Sequence, residues 1–528
     1  MRLLISASSK YLLTGWRRFV LCIALGSISA TSLPPWFFFP GILGFSVFLF
    51  LLNTSCKPAQ AVYKTWLFSF GYHLFGLQWV SLALTVDSER FAWLIPFALV
   101  GLPAVLALIP ALTMALLPAI SQSPLSRAFA WATLWTLAEY IRGHILTGFP
   151  WNLAAYIVSF SDSLIQSASI IGAYGLSLLV ILFTTFPFLF LANKKPYRTR
   201  YSFVIPSLLC LLPIILWIGG NARLSMNDSI VDPNILIRIV QGNIAQRDKW
   251  RPDLRASHLK KYISLSKITS NAKDSNSAAS VPNITIWPET AVPLLLSETP
   301  HIRQWITQFL KEDGFLITGA PSITNTAPPK LHNSVIVLTH QGKIQGQYHK
   351  AHLVPFGEYL PLKQWLPLSK IVRGFTDFSA GTGLKSLYIP YLGITSPLIC
   401  YEVIFPGNVI SNWSTLRPNL LLNLTNDAWF GESAGPFQHL EHARLRAVEE
   451  GLPLIRVANT GISGFFDAFG RKMGTIGLNK EAYMDRHLAR PIHPTTFFGR
   501  FGNNGYLGIT IFLLISLVIN RFYRRHRT

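Results

Sequence analysis

The stretch Pro397-Leu398-Ile399-Cys400-Tyr401-Glu402 leads a short apolar, β-type run into a cysteine, an aromatic residue and a carboxylate. Two other stretches have the same form. Thr285-Ile286-Trp287-Pro288-Glu289-Thr290 brings a carboxylate to the end of a strand-like run, and Gln347-Tyr348-His349-Lys350 brings an amine to the end of another. A cysteine behind an apolar run is by itself more often a small core residue than a nucleophile. Joined to a carboxylate and an amine it becomes a chemical set. A free thiol, with a pKa of about 8.5, is only a few per cent thiolate at neutral pH, so a nucleophilic cysteine needs a base or a cation beside it. Glu289 is the candidate base for the Cys400 proton. Lys350 is the cation that favours the thiolate and then, with a backbone N–H after Cys400, donates to the oxyanion of a tetrahedral intermediate. The three lie far apart in the chain, so only a fold brings them together.

The elements that must do so fall into two textures. The chain has 528 residues, 50% hydrophobic and 13% charged, with mean hydropathy +0.36. It is too apolar for an ordinary soluble enzyme and too interrupted for a pure membrane bundle. The sequence therefore divides into a membrane part, 1–220, an extracytoplasmic polar part, 221–500, and a last span with a basic tail, 501–528. The formal net charge of +22 does not point to nucleic acid, because many of the basic residues sit beside apolar spans. Cys22, Cys56 and Cys210 lie in or beside the hydrophobic part, so Cys400 has no disulfide partner within the polar one.

Apolar runs at Phe19–Leu33, Trp36–Leu52, Ala61–Leu84, Ala92–Ile120, Ala128–Ile145, Leu164–Ala192, Ser202–Gly219 and Tyr506–Ile519 are read as eight transmembrane helices. The first resembles a signal peptide, but the next run follows so closely that a helical hairpin turning at Pro34-Pro35 is the preferred reading. Lys57, Lys64, Arg127, Lys194, Lys195, Arg198, Arg200 and the basic tail fall in inner loops if the N-terminus is inside. That asymmetry places both termini in the cytoplasm and the polar part outside. The loop Gly148-Phe149-Pro150-Trp151-Asn152 reads either as an interfacial aromatic belt or as a wall of a lipid path.

From Asn234 onward, short β-branched runs alternate with helical patterns. Strands are expected at Ile235–Val240, Ile284–Trp287, Phe315–Gly319, Ser334–Thr339, Ile394–Ile399, Asn419–Leu424 and Leu454–Ala458, with helices at Leu254–Thr269, His301–Glu312 and Gln438–Glu450. This pattern predicts an α/β layered core.

The order Trp-Pro-Glu at 287–289, Tyr-His-Lys-Ala-His-Leu-Val-Pro-Phe-Gly-Glu-Tyr at 348–359 and Cys-Tyr-Glu at 400–402 resembles the nitrilase superfamily, also called carbon-nitrogen hydrolases. Within it the whole architecture is similar to the membrane-bound apolipoprotein N-acyltransferases. The resemblance implies an αββα sandwich with Glu289 as general base, Lys350 as catalytic lysine and Cys400 as nucleophile. It also implies that Glu358 sits beside the lysine, where a plain salt bridge would look identical in sequence. Tyr401 and Glu402 match an important pair; packing and a structural hydrogen-bond acceptor are their other readings. Trp250 matches a tryptophan near the site, with stacking on a helix as the alternative, and Asn426–Gly431 matches a pocket loop. The apolar stretch Leu360–Phe378 suits a lid on the bilayer.

The implied reaction is acyl transfer from a phospholipid, most readily phosphatidylethanolamine, through a Cys400 thioester to the amine of a diacylglyceryl-cysteine apolipoprotein. The expected location is the bacterial inner membrane, with the catalytic part periplasmic and the protein acting as a monomer. No cofactor is called for. His349, His352, His439 and His442 lack the companions that zinc spacing needs. A membrane-anchored amidase using the same Glu-Lys-Cys set is the alternative enzyme. A transporter or receptor is the non-enzymatic one, and it would need more polar groups within the spans than Glu139 and Arg142 near one end.

Overall fold

The computed structural model describes residues 15–55, 57–192, 201–268, 281–324, 326–359, 377–411 and 416–525. The chain forms two compact units. One comprises Met1–Ser81, Trp93–Ser225 and Phe501–Thr528, and the other Leu82–Ala92 and Met226–Arg500. The segment 82–92 therefore groups with the polar unit, although hydropathy alone assigns its ends to two spans.

The second unit is built on two six-stranded sheets. The first runs β12(Ala482–Ala489), β1(Val231–Gln241), β2(Ile284–Ile286), β3(Phe315–Ile323), β4(Leu331–Thr339), β5(Ile344–His349). The second runs β11(Lys472–Ile476), β10(Ser463–Phe466), β9(Leu454–Ala458), β8(Leu420–Thr425), β7(Gly393–Ile399), β6(Leu387–Ile389). Each has three parallel strands at its centre, β1–β2–β3 and β7–β8–β9, flanked by antiparallel ones. Period-two alternation sends one set of side chains into the space between the sheets: Ile237 and Ile239, Ile284 and Ile286, Val335 and Val337, Leu420, Leu422 and Leu424 belong to a single core. On the first sheet's other face Leu316, Ile336 and Leu338 pack against Leu259, Tyr262 and Ile263 of α1(Arg255–Lys267) and Ile306 of α2(Pro300–Thr307). The third helix, α3(Ala434–Glu450), packs on β9 and on the 3-10 turn Cys400–Ile404. The expected helix–sheet–sheet–helix layering is what forms. β10 to β12 carried no clear signal in the sequence: β10 and β11 form a short hairpin containing Gly464 and Gly474, and β12, which pairs with β1, carries Asp485, Arg486 and His487 in its middle; β6, three residues long, is likewise absent from the expected strands. The helix expected to Glu312 ends at Thr307, whose hydroxyl donates to Arg303 O and to His340 O across the turn.

The first unit is helical. The described residues of the chain include five stretches long and apolar enough to cross a membrane, two of which end or begin within 82–92: Pro58–Thr85, Ser88–Ile120, Leu164–Ala192, Phe203–Ser225 and Asn504–Tyr523. A shorter apolar one is Phe39–Asn53, and helices also form at Gly15–Ala30 and Pro124–His144. Close crossings depend on glycine: a Cβ at Gly26 would sit 1.9 Å from Phe68 O, and one at Gly71 2.1 Å from Ile23 O. Glu139 and Arg142 are buried within this unit.

Candidate active site

Glu289 and Lys350 follow strands of the first sheet and Cys400 a strand of the second, and the three side chains interact with one another. Glu289 lies beyond β2, held close by β3, where Trp287 N donates to Ile317 O and Gly319 N to Pro288 O. A Cβ at Gly319 would come within 2.3 Å of Thr290 N and 2.6 Å of Glu289 Cα, so only glycine lets the strands close here. Lys350 follows β5 and faces Asn333 of β4, where its N–H donates to Asn333 O at 2.8 Å. Cys400 follows β7, the carboxyl end of a parallel strand, a favoured place for ligands in α/β sheets. Its backbone has φ +53°, a left-handed conformation that costs a non-glycine residue about 1–3 kcal/mol and persists only where its surroundings enforce it.

The surroundings do so from two sides. Glu402 is buried and receives four donors: Tyr348 Oη at 2.8 Å, Ala351 N at 2.7 Å and His352 N at 3.0 Å on Oε1, and Ile399 N at 2.6 Å on Oε2. One carboxylate thus ties the end of the cysteine strand to the turn after the lysine. Burial pushes its carboxyl up to about 7, and those same donors hold it back from going higher. Of the two readings open for Glu402, the structural acceptor is the one its contacts display. Tyr401 packs edge-on against Phe405 and lies near the His352 ring. On the other side His439 places Nε2 3.1 Å from Cys400 O and Nδ1 2.8 Å from Asp427 Oδ1. Arg456 donates to Asp427 Oδ2 at 2.7 Å. Although burial raises it, the Asp427 carboxyl is held down to about 2 by Arg456 and His439.

The charged groups converge. Lys350 Nζ lies 2.8 Å from Glu358 Oε2 and 3.8 Å from Glu289 Oε1, with 1% of its side chain exposed. Asn333 Nδ2 donates to Glu289 Oε1 at 2.7 Å and to Glu358 Oε1 at 3.0 Å, bridging the carboxylates. Glu358 is oriented in turn by the Val354 N–H at 2.9 Å. Burial pulls the lysine toward its neutral form, but Glu358 and Glu289 outweigh it and keep the ammonium charged. Burial raises Glu289 above the ordinary carboxylate range, against the pull of Lys350. The Cys400 thiol is pushed up to about 12 by burial and by the Glu289 carboxylate, with Lys350 opposing. The resting site therefore holds a thiol rather than a preformed thiolate, next to a carboxylate whose raised pKa suits it to accept a proton.

Four of the residues singled out in the sequence, Glu289, Lys350, Glu358 and Cys400, come together here. Trp250 is half-buried one residue after Lys249, whose Nζ donates to Glu289 O at 2.9 Å. Asn333, Lys249, Thr425, Asp427 and His439 form the rest of the surroundings. The signal for Asn333 was its place opposite Lys350 in the β4–β5 register, and a single strand does not reveal register. The proposed lid residues 360–376 lie outside the described residues. Among the described residues no group of three or more His, Cys, Asp and Glu is arranged to hold a metal.

Comparison with known proteins matches two families to separate parts of the chain. The family described as apolipoprotein N-acyltransferase N-terminal domain matches residues 25–186, and the carbon-nitrogen hydrolase family matches residues 236–491. A protein of Rhodopseudomonas palustris named apolipoprotein N-acyltransferase is 35% identical over 98% of this chain and 97% of its own length. Proteins of the same name are 37% identical in Bradyrhizobium diazoefficiens, over 97% of this chain and 96% of theirs, and 35% in Rickettsia prowazekii, over 94% and 97%. With a carbon-nitrogen hydrolase sandwich joined to a helical membrane unit and full-length relatives at this identity, the chain belongs to the apolipoprotein N-acyltransferase family.

Proposed function

We propose that this acyltransferase moves an acyl chain from a phospholipid to the N-terminal amine of a diacylglyceryl-cysteine apolipoprotein, through a thioester on Cys400. The observation that carries the reading is the convergence of Glu289, Lys350 and Glu358 around a thiol at a strand end. Glu289 takes the Cys400 proton as the sulfur bonds to the ester carbonyl carbon. The oxyanion so formed accepts hydrogen bonds from Lys350 and from backbone N–H groups after Cys400. The carbon–oxygen bond then breaks, the proton on Glu289 passes to the departing alkoxide, and lysophospholipid leaves. In the second half the apolipoprotein amine attacks the thioester, Glu289 takes a proton from that nitrogen, and the sulfur leaves and recovers the proton. Each half starts and ends with the same protonation, as a ping-pong cycle requires. Asn333 and Glu358 hold the base and the ammonium in register.

Eight spans, cytoplasmic termini, a periplasmic sandwich, phosphatidylethanolamine as donor and a monomeric enzyme belong to the same proposal; apolar helices and the charge of the loops support it. Tyr401 and Trp250 are proposed as site walls. The test supplies purified protein with phosphatidylethanolamine carrying a labelled acyl chain and a synthetic diacylglyceryl-cysteine peptide. Equal amounts of lysophospholipid and labelled, amine-acylated peptide are expected. Release of the label as free fatty acid, with the peptide unchanged, would replace the transferase by a hydrolase.

A further inference from the structure

The mechanism leaves a buried cation near the thiol unused. Lys249 follows β1 and has 4% of its surface exposed. Its ammonium donates at 2.9 Å to the backbone carbonyl of Glu289, and among the described residues that carbonyl is the one acceptor the structure gives it. The peptide it clamps is not a relaxed one: Thr290 has φ +47°, and β3 closes on the same two residues at Gly319. The ammonium is also close enough to interact electrostatically with both Glu289 and Cys400. Counted without it, the cluster has two carboxylates, Glu289 and Glu358, and one cation, Lys350.

We infer that Lys249 is a positioning residue for the base: it fixes the Glu289 main chain and supplies the second positive charge that keeps the Glu289 carboxylate ionised. The inference rests on the proposed role of Glu289 as base. The groups facing Glu289 are Lys350 beyond β5, Glu358 and Asn333, Cys400 beyond β7, and Lys249 beyond β1; those facing Lys249 are Glu289, Cys400 and His258 of α1. Burial lowers Lys249 to about 8, so the clamp is charged in the neutral range and weakens above it. Loss of the cation raises the Glu289 pKa, and the carboxylate form then requires a higher pH.

The test follows Cys400 alkylation by a neutral haloacetamide and Cys400 acylation by phospholipid against pH, in the full-length protein. For Lys249→Met, which keeps the length and removes charge and donor, the acid limb of both profiles is expected to move up by about one pH unit, slowing both reactions about tenfold on that limb. Lys249→Gln, which keeps a donor without charge, should show the same pH shift. Wild-type profiles in both variants, or a uniform slowing with an unmoved acid limb, would overturn the inference. Glu289→Gln serves as the control. If that variant is itself unimpaired, the base assignment fails; if it is impaired while Lys249→Met is not, only the role of Lys249 fails.

Discussion

Both units bury carboxylates and cations, and they use them differently. In the helical unit Glu139 and Arg142 come from one helix, three residues apart, and are spent on nearby backbone. Arg142 donates to Phe149 O at 2.7 Å and Trp151 O at 2.6 Å, while Glu139 accepts from Ala154 N at 3.0 Å and Trp135 Nε1 at 3.1 Å. The pair pins the non-helical loop 148–154, where backbone groups away from water need partners. In the sandwich, Lys249, Glu289 and the stretch carrying Lys350 and Glu358 follow three different strands, and their charges meet around a thiol. Buried charge alone therefore does not mark chemistry. In the proposed mechanism, charges delivered from different segments to one thiol do.

Substitutions that separate these two uses sharpen the contrast. Glu289→Gln should have the largest effect, slowing Cys400 acylation about 10^3-fold in single-turnover assays while the protein stays folded. Its pH profile should change in kind. The wild-type reaction should turn on above the raised Glu289 pKa; in the variant, haloacetamide alkylation of Cys400 should be slow at neutral pH and climb only above the ordinary thiol range, as free thiolate forms. Lys350→Met should slow acylation about 10^2-fold and also lower thermal stability, because it leaves Glu358 and Glu289 facing each other through Asn333. Arg142→Met should give the opposite pattern. The helical unit loses about 3–5 kcal/mol in denaturation, whereas acylation per folded molecule stays within a few-fold. If its chemistry falls as far as that of Lys350→Met, the distinction between the two clusters collapses. The smallest effect is expected for Thr425→Val, which removes a hydroxyl that donates to Asp427 Oδ1 in the resting site and can turn its one proton to the Cys400 thiolate instead. Alkylation should slow about fivefold, the equivalent of one hydrogen bond of about 1 kcal/mol.

How much of this the sequence displayed follows from the same contrast. Cys400, Glu289 and Lys350 were legible because each ends an apolar run, and a strand end is a local pattern. Glu358 was legible through its spacing from Lys350 in a recognisable stretch. Asn333 and His439 were not, because their roles depend on which strand or helix lies opposite, information that no single segment holds. Lys249 was passed over for its neighbour Trp250, since a lysine in a polar stretch reads as solvated until burial is known. Glu139 and Arg142, placed by the sequence near the end of a span, are buried within the unit and hold a loop whose backbone folds back on their own helix. The sandwich core was readable where a short apolar run was continuous, as in β4 and β8, whose residues are buried on both faces. It failed for β6, which has three residues, and for β10 to β12, where glycines or charged residues interrupt the apolar run.

The most direct test incubates the protein with phospholipid in the absence of any acceptor, quenches in acid and maps the acylated peptide by mass spectrometry. The account requires one acyl chain, labile to hydroxylamine, on the peptide containing Cys400, and none on Cys400→Ala. An acyl group that persists in Cys400→Ala, or that maps to any other side chain, would contradict it.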